Sequence, residues 1–226
     1  MNVLQQFEQI KRFRVGGHRA PHKPLLILYA LAKFQAGERE IRFEEAEERL
    51  NGLIDHFGAM GKARCEYPFV RLANDGVWEV RDKDGRFFDT KAEYSAAKLK
   101  SMGVSGKFTQ EVLQWIQEER NLELLVERII QSNFPETYYT DLLEALNLTD
   151  RSGSMYIRVK RNPEFRELIL DAYERNCAIC GYQIRSGDQL VGLEAAHIRW
   201  HAANGTDTVD NGIALCAIHH KLFDYG

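Results

Sequence analysis

A chain of 226 residues, 44% hydrophobic and 11% aromatic with a formal net charge of -3, has room for two modest globular domains and lacks the positive balance of a protein that coats nucleic acid. No apolar run approaches the ~20 residues of a membrane span, and the start MNVLQQFEQIKRF lacks the apolar stretch of a signal peptide, so a cytoplasmic location without membrane contact is expected. Three of the four cysteines, Cys177, Cys180 and Cys216, gather near the end of the chain, which suits a metal in a reducing compartment rather than a disulfide framework.

Val3, Leu4, Phe7, Ile10 and Phe13 recur at helical spacing and predict an amphipathic helix over 2–13. No acid occurs between Glu8 and Glu38, whereas Lys11, Arg12, Arg14, Arg19, Lys23 and Lys33 all lie there, with His18 and His22 among them. A local positive face on a nearly neutral chain points to a focused phosphate contact. Gly16-Gly17 and the prolines at 21 and 24 predict an ordered basic loop over 15–24. Pro24 then suits the first turn of a core helix that runs to about residue 35.

Residues 40–43 read as a short strand and 43–57 as a charged amphipathic helix burying Leu50, Leu53, Ile54 and Phe57. Residues 67–72 and 77–80 read as two strands of a hairpin turning at Asn74-Asp75-Gly76. A second turn over 82–85 precedes Arg86-Phe87-Phe88, and 91–146 is helical with breaks at Gly103, Gly106 and Pro135. Cys65, alone, reads as a small buried residue. The small, polar run NLTDRSGSM over 147–155 places a boundary between a domain of 1–150 and one of 151–226. Beyond it, Asn162-Pro163-Glu164 opens a helix through Phe165, Leu168, Ile169, Leu170 and Tyr173 that ends before Cys177. The expected fold class is α+β, with an α-rich N-terminal domain that carries a small β element.

The last fifty residues hold Cys177 and Cys180 as C-x-x-C, and Cys216 and His219 as C-x-x-H. Each pair has the reach to hold one side of a tetrahedral zinc. Between and beside the pairs stand His197 before Ile198, Asn211 before Gly212, and His220 directly after His219. Over about 165–226 these residues resemble the HNH (ββα-metal) nuclease motif.

The resemblance implies a zinc-containing C-terminal domain whose His197, Asn211 and His220 form the site, with His220 on a second, catalytic divalent ion: Mg²⁺, Mn²⁺ or Ni²⁺. Imidazole is the side chain suited to take a proton from water near neutral pH, which makes His197 the candidate base. Asn211 cannot act as a base and is expected to brace the loop that carries His197. His201 reads as a solvated or phosphate-touching loop histidine. One position departs from the pattern: many such nucleases have Asp immediately before the first histidine, and here Ala196 stands there. Glu194 or Asp210, or phosphate oxygens and water, are left to complete the ion's shell. Relatives usually continue where this chain stops after Gly226, which fits a trimmed form with reduced activity.

The segments GGHRAPHKPLLILYAL, EYPFVRL and GVWEV resemble the sulfur-binding domain of phosphorothioate-dependent type IV restriction endonucleases, over most of 1–150. On spacing alone Tyr67-Pro68 is a strand entry with a core aromatic. The resemblance instead implies that Tyr67 and Pro68 shape a shallow apolar cup for the sulfur, with His18, Arg19, His22 and Lys23 on the surrounding backbone and Arg71 nearby.

Together the two resemblances imply a modification-dependent endonuclease whose partner is double-stranded, phosphorothioated DNA. One HNH centre cuts one strand, so a double-strand break asks for a homodimer or two visits. An HNH nuclease reading a modified base or unmodified sequence, and a zinc DNA-binding module that does not cleave, are the alternatives.

Overall fold

The structure is a computed structural model, described here except for residues 1, 11–13, 16–17, 20, 58–63, 88, 149–162, 188, 201–204 and 226, and by backbone alone at 14, 15, 18, 19 and 163. The chain divides into two compact units: Met1–Ile130 with Leu142–Tyr156, and Gln131–Asp141 with Ile157–Gly226.

In the first unit, an Asn2–Gln5 capping box starts α1 (Val3–Glu8) and Phe7 anchors it in the core, so the helix expected over 2–13 is shorter. The stretch expected to be a loop holds β1 (Arg14–Val15) and β2 (His18–Arg19), paired antiparallel. Residues 16–17 between them lie outside the described residues.

The core helix α2 (His22–Gln35) buries every residue from 24 to 31, with Pro24 in its first turn as expected. β3 (Ile41–Arg42) leads directly into α3 (Phe43–Phe57), whose buried Leu50, Leu53, Ile54 and Phe57 are those its periodicity predicts. Cys65 is fully buried, and burial pushes its thiol up to about 12.

Two expectations fail next. Residues 67–72 are no strand: they lie in α4 (Glu66–Arg71) and a 3-10 turn over Leu72–Asp75 that stops at left-handed Gly76, φ 78°. Pro68 falls in the first turn of α4, where its missing N–H goes unneeded, and Pro68, Phe69 and Val70 are buried in succession, which a one-sided strand would not allow. With that hairpin gone, β4 (Trp78–Arg81) pairs with β5 (Ser105–Phe108), hidden in a stretch expected to be helical, and the sheet order is β3-β5-β4.

Gly106 explains the arrangement. A Cβ there would lie 2.4 Å from the Trp78 ring, so only glycine admits the indole. That indole meets Phe69 and Phe108 edge-on at 5.8 and 5.5 Å and donates to the Phe69 carbonyl at 3.0 Å. Gly106→Ala is therefore expected to destabilise the unit by about 1 to 3 kcal/mol through overpacking, read as a lowered first transition in calorimetry. An unchanged transition would contradict this packing. The helices α5 (Ala96–Ser101), α6 (Gln110–Trp115), α7 (Glu119–Gln131) and α8 (Tyr139–Leu146) complete the helical stretch. Leu148, read as linker, is fully buried, while 149–155 lie outside the described residues.

The second unit opens its longer segment with α9 (Pro163–Ala172), which places Phe165, Ile169 and Leu170 against Leu193, Ala196, Ala214 and Leu215. Left-handed Glu174 and Arg175 then turn the chain toward Cys177, the Arg175 N–H donating to the Leu170 carbonyl at 2.7 Å. β6 (Ile184–Ser186) and β7 (Gln189–Val191) form a small hairpin. β8 (Leu193–His197) and β9 (Gly212–Cys216) form the central one, Leu193 opposite Cys216 and His197 opposite Gly212, and α10 (Ala217–Tyr225) follows at once. This is the expected ββα arrangement. From Gln131–Asp141, Tyr138 donates its hydroxyl to the Asp224 carbonyl at 3.0 Å and lies 4.9 Å from the Tyr225 ring, securing the end of α10. Among the described residues no helix is long and apolar enough to cross a membrane.

Candidate functional site

Cys177 and Cys180 sit on a turn closed by the Gly181 N–H donating to the Cys177 carbonyl at 2.8 Å, and the Ala178 N–H, donating to Ala214 at 2.8 Å, ties that turn to β9. Cys216 ends β9, and His219 lies in the first turn of α10. Ligand atoms of all four residues fall within 4.8 Å of one another, with His219 Nδ1 3.5 Å from Cys177 Sγ and 3.2 Å from Cys216 Sγ. For Cys177, burial raises the thiol, but hydrogen bonds from the Cys180, Cys216 and Ile179 backbones and from His219 bring it down to about 6. A thiolate at neutral pH and a Cys₃His set of this size suit a metal ion.

The same helix turns its next histidine elsewhere. His220 Nδ1 lies 2.7 Å from Glu194 Oε2, and its Nε2 lies 3.7 Å from Asp224 Oδ2, one helical turn onward. Asp224 is only 5% exposed. Burial raises its pKa, opposed by hydrogen bonds from Thr137 and Trp200 and by the charge of His220. Glu194, one of the two acids weighed from sequence, is thus at His220, while Asp210, the other, is exposed on the turn before β9. Asp224 escaped the sequence reading, although its i+4 spacing from His220 was a legible signal.

His197 ends β8. Its Nε2 donates to Asp207 Oδ1 at 2.8 Å, and Phe165 of α9 stacks on its ring at 4.2 Å between centroids and 12° between planes. Asn211 makes the expected brace. Its Oδ1 accepts from the Arg199 N–H at 2.9 Å, and its Nδ2 donates to the Arg199 and Thr206 carbonyls at 3.1 and 2.8 Å. Asp207 and Phe165 were not foreseen: contacts across a loop and between separate elements leave no periodic trace. His201 lies outside the described residues.

In the first unit, Tyr67 lies between two guanidinium groups, Arg64 Cζ at 5.5 Å and Arg71 Cζ at 5.4 Å from its ring centroid, and Arg64 donates to its hydroxyl at 3.3 Å. Pro68 is buried, so the apolar surface expected from the pair falls to half-buried Tyr67. Lys23, expected on phosphate, is paired with the Asp75 carboxylate. Burial lowers the pKa of His22. His18 and Arg19 are placed on β2 by backbone, and their side chains lie outside the description.

A family profile described as the ScoMcrA-like DNA sulfur-binding domain matches residues 1–151, about two thirds of the chain. The chain belongs to that family. A second profile, described as HNH endonuclease, matches residues 177–226. Solved structures agree with the first assignment in fold. The sulfur-binding domain of SprMcrA complexed with phosphorothioated DNA is 18% identical with a TM-score of 0.54, over 64% of this chain and 91% of that one. The sulfur-binding domain of ScoMcrA complexed with phosphorothioated DNA is 16% identical with a TM-score of 0.54, over 66% of this chain and 96% of that one. The type IV phosphorothioation-dependent restriction endonuclease ScoMcrA is 16% identical with a TM-score of 0.55, over 70% of this chain but only 35% of that one. No curated protein matches. A sulfur-binding-domain family member that also carries an HNH nuclease domain is a modification-dependent DNA endonuclease.

Proposed function

We propose that this family member binds duplex DNA bearing a backbone phosphorothioate through residues 1–150 and hydrolyses a phosphodiester with residues 151–226. The observation that supports it most is the sulfur-binding family match over 1–151, joined to a chain whose HNH match begins at 177.

For the reader, Tyr67 supplies a polarisable, half-buried surface, Arg64 and Arg71 over its ring supply charge for the flanking phosphates, and His18, Arg19 and His22 are further proposed DNA contacts. Sulfur is larger than oxygen and a poorer hydrogen-bond acceptor. A cup that offers carbon rather than N–H donors therefore leaves an ordinary phosphate oxygen desolvated and unpaired while tolerating the modified one. Pro68 is buried in α4 beside Tyr67, and Lys23, in the first turn of α2, ties that helix to Asp75. In a gel shift with one duplex, with and without a single backbone sulfur, preference for the sulfur duplex is expected to be about 5- to 150-fold, the factor that 1 to 3 kcal/mol of lost hydrogen bonding gives. Tyr67→Ala is expected to remove most of that preference. Equal affinity of the unaltered protein for both duplexes would overturn the reading.

For cleavage, His197 takes a proton from water, the water oxygen attacks phosphorus, and the P–O bond to the 3′ oxygen breaks. Asn211 holds the loop behind His197. Zinc suits the Cys177, Cys180, Cys216 and His219 set as a structural ion. His220 through Nε2, with Asp224 beside it, would hold the Mg²⁺ or Mn²⁺, and Glu194 on Nδ1 orients the ring as carboxylates do behind histidine ligands. Asp224 thereby offers the carboxylate that Ala196 lacks. When bound, that ion neutralises charge on the phosphate and the departing oxygen. Glu194 and His197 are three apart on β8, at opposite parity of the strand. A single centre nicks, and a double-strand break asks for two protomers or two visits.

A further inference from the structure

His197 is fixed on more sides than a strand-end histidine requires. Its Nε2 is committed to Asp207 Oδ1 at 2.8 Å, and the Phe165 ring lies parallel to it at 4.2 Å, which opposes rotation of the imidazole about its own axis. We propose that Asp207 is a positioning residue for the cleavage reaction, whose carboxylate holds His197 as the Nε2–H tautomer so that Nδ1 carries the lone pair that receives the proton from water. The inference rests on His197 being the base.

Asp207 does not reach this place by chance of a loose loop. The Ile198 N–H, next to the base, donates to the Asn211 carbonyl at 2.9 Å, and the Asn211 side chain grips Arg199, two residues beyond β8, and Thr206, just before Asp207. One asparagine thus sets both the end of β8 and the residue preceding Asp207. Gly205 closes the same turn: a Cβ there would stand 1.7 Å from the Arg199 carbonyl oxygen and 2.8 Å from Asn211 Nδ2, so no other residue type fits without moving the brace.

The chemistry follows from the two nitrogens of imidazole. In the neutral ring one nitrogen donates and the other accepts, and a carboxylate on Nε2 selects the form whose acceptor is Nδ1. When Nδ1 takes the proton, the cation that forms is stabilised by the Asp207 charge already in place. No bond forms or breaks at Asp207; water loses its proton to Nδ1, and the carboxylate stays ionised. This is the division of labour between an orienting carboxylate and a general-base histidine, reached here through a loop brace.

The test uses the full chain loaded with zinc and Mn²⁺, nicking a phosphorothioated plasmid. Asp207→Asn is expected to lower kcat by roughly 10²- to 10⁴-fold with KM unchanged. Asp207→Glu, which keeps the charge, is expected to recover at least about a tenth of the lost rate. In the His197→Ala background Asp207→Asn is expected to cost nothing more, because residues acting as one unit are not additive. Imidazole ¹⁵N NMR gives a readout independent of turnover: the Nε2–H tautomer in the unaltered protein and a mixture in Asp207→Asn. If Asp207→Asn and Asp207→Glu both keep the full kcat while His197→Ala is inactive, the positioning role is wrong and the base assignment stands. An unaltered protein whose His197 is the Nδ1–H tautomer overturns the positioning role in the same way. If His197→Ala itself keeps its rate, the base assignment fails and takes the inference with it.

Discussion

His197→Ala is expected to slow nicking of a phosphorothioated plasmid by about 10²- to 10⁴-fold, the loss that follows removal of a positioned general base, while the affinity for the same DNA stays unchanged. Both halves follow from where the side chain sits. His197 is the last residue of β8, held by Asp207 and stacked on Phe165, all three residues of the second unit. Alanine leaves the Asp207 carboxylate on a partly exposed loop, where solvent satisfies it, while the Asn211 bonds to Arg199 and Thr206 remain, so the melting temperature of the second unit is expected to fall by only a few degrees. Initial nicking rates and a gel shift on one preparation separate the two effects. A variant that still nicks at the full rate would remove His197 from the chemistry, and one that loses DNA binding as well would give it a role in the reader.

The larger effect on folding is expected from the metal set. Stripping zinc with a chelator, or Cys216→Ala, is expected to unfold the second unit and abolish cleavage, since structural zinc sites contribute apparent folding energies of about 10 to 16 kcal/mol at pH 7. The second unit is poorly placed to survive that loss. Its described core rests on one helix, α9, and one two-stranded hairpin, and Cys177 and Cys216 are themselves buried members of it. With Cys177 lowered to about 6, that ligand is ready for metal at neutral pH. Cys180 is raised, a backbone hydrogen bond from Tyr182 being outweighed by burial and the neighbouring Cys177 and Cys216 thiols, and protons compete for the set as the pH falls. Release is therefore expected on acidification, and its midpoint lies below 6 by as much as the metal holds the thiolate. Calorimetry is expected to show two transitions in the loaded protein and only the first unit's transition after chelation. Two unaltered transitions after complete zinc removal would show the cluster to be dispensable for the fold.

The sequence made the nuclease half legible because its chemistry is carried by spacing. C-x-x-C and C-x-x-H place four ligands on a turn, a strand end and a first helical turn, and the structure gathers them there within 4.8 Å, while His197 on β8 and His220 on α10 have separate carboxylate partners, Asp207 and Glu194. The partners of those residues were less visible. Asp207 meets His197 only because Asn211 and Gly205 close the loop, and Phe165 arrives from another element. In the first unit the long helices α2 and α3 were readable from burial period and from Pro24. The strand expected at 67–72 was lost to a local ambiguity: a short apolar run has no period to tell strand from helix, and Pro68 is as acceptable in the first turn of a helix as at the head of a strand. β5 was missed for the reverse reason, since Gly106 looks like a break until the Trp78 ring that fills its place is known.

Under the proposed function one DNA substrate engages both units, and cleavage of paired plasmids reads both at once. Two plasmids of the same sequence, one carrying a single backbone sulfur and one carrying none, are incubated with the zinc-loaded protein and Mn²⁺, beside His197→Ala as control. The expected result is nicking of the sulfur plasmid at a rate at least several-fold above the other, with no nicking of either by His197→Ala. Equal nicking of both plasmids, or sulfur-dependent nicking that survives His197→Ala, would contradict the assignment of reading to the first unit and cutting to the second.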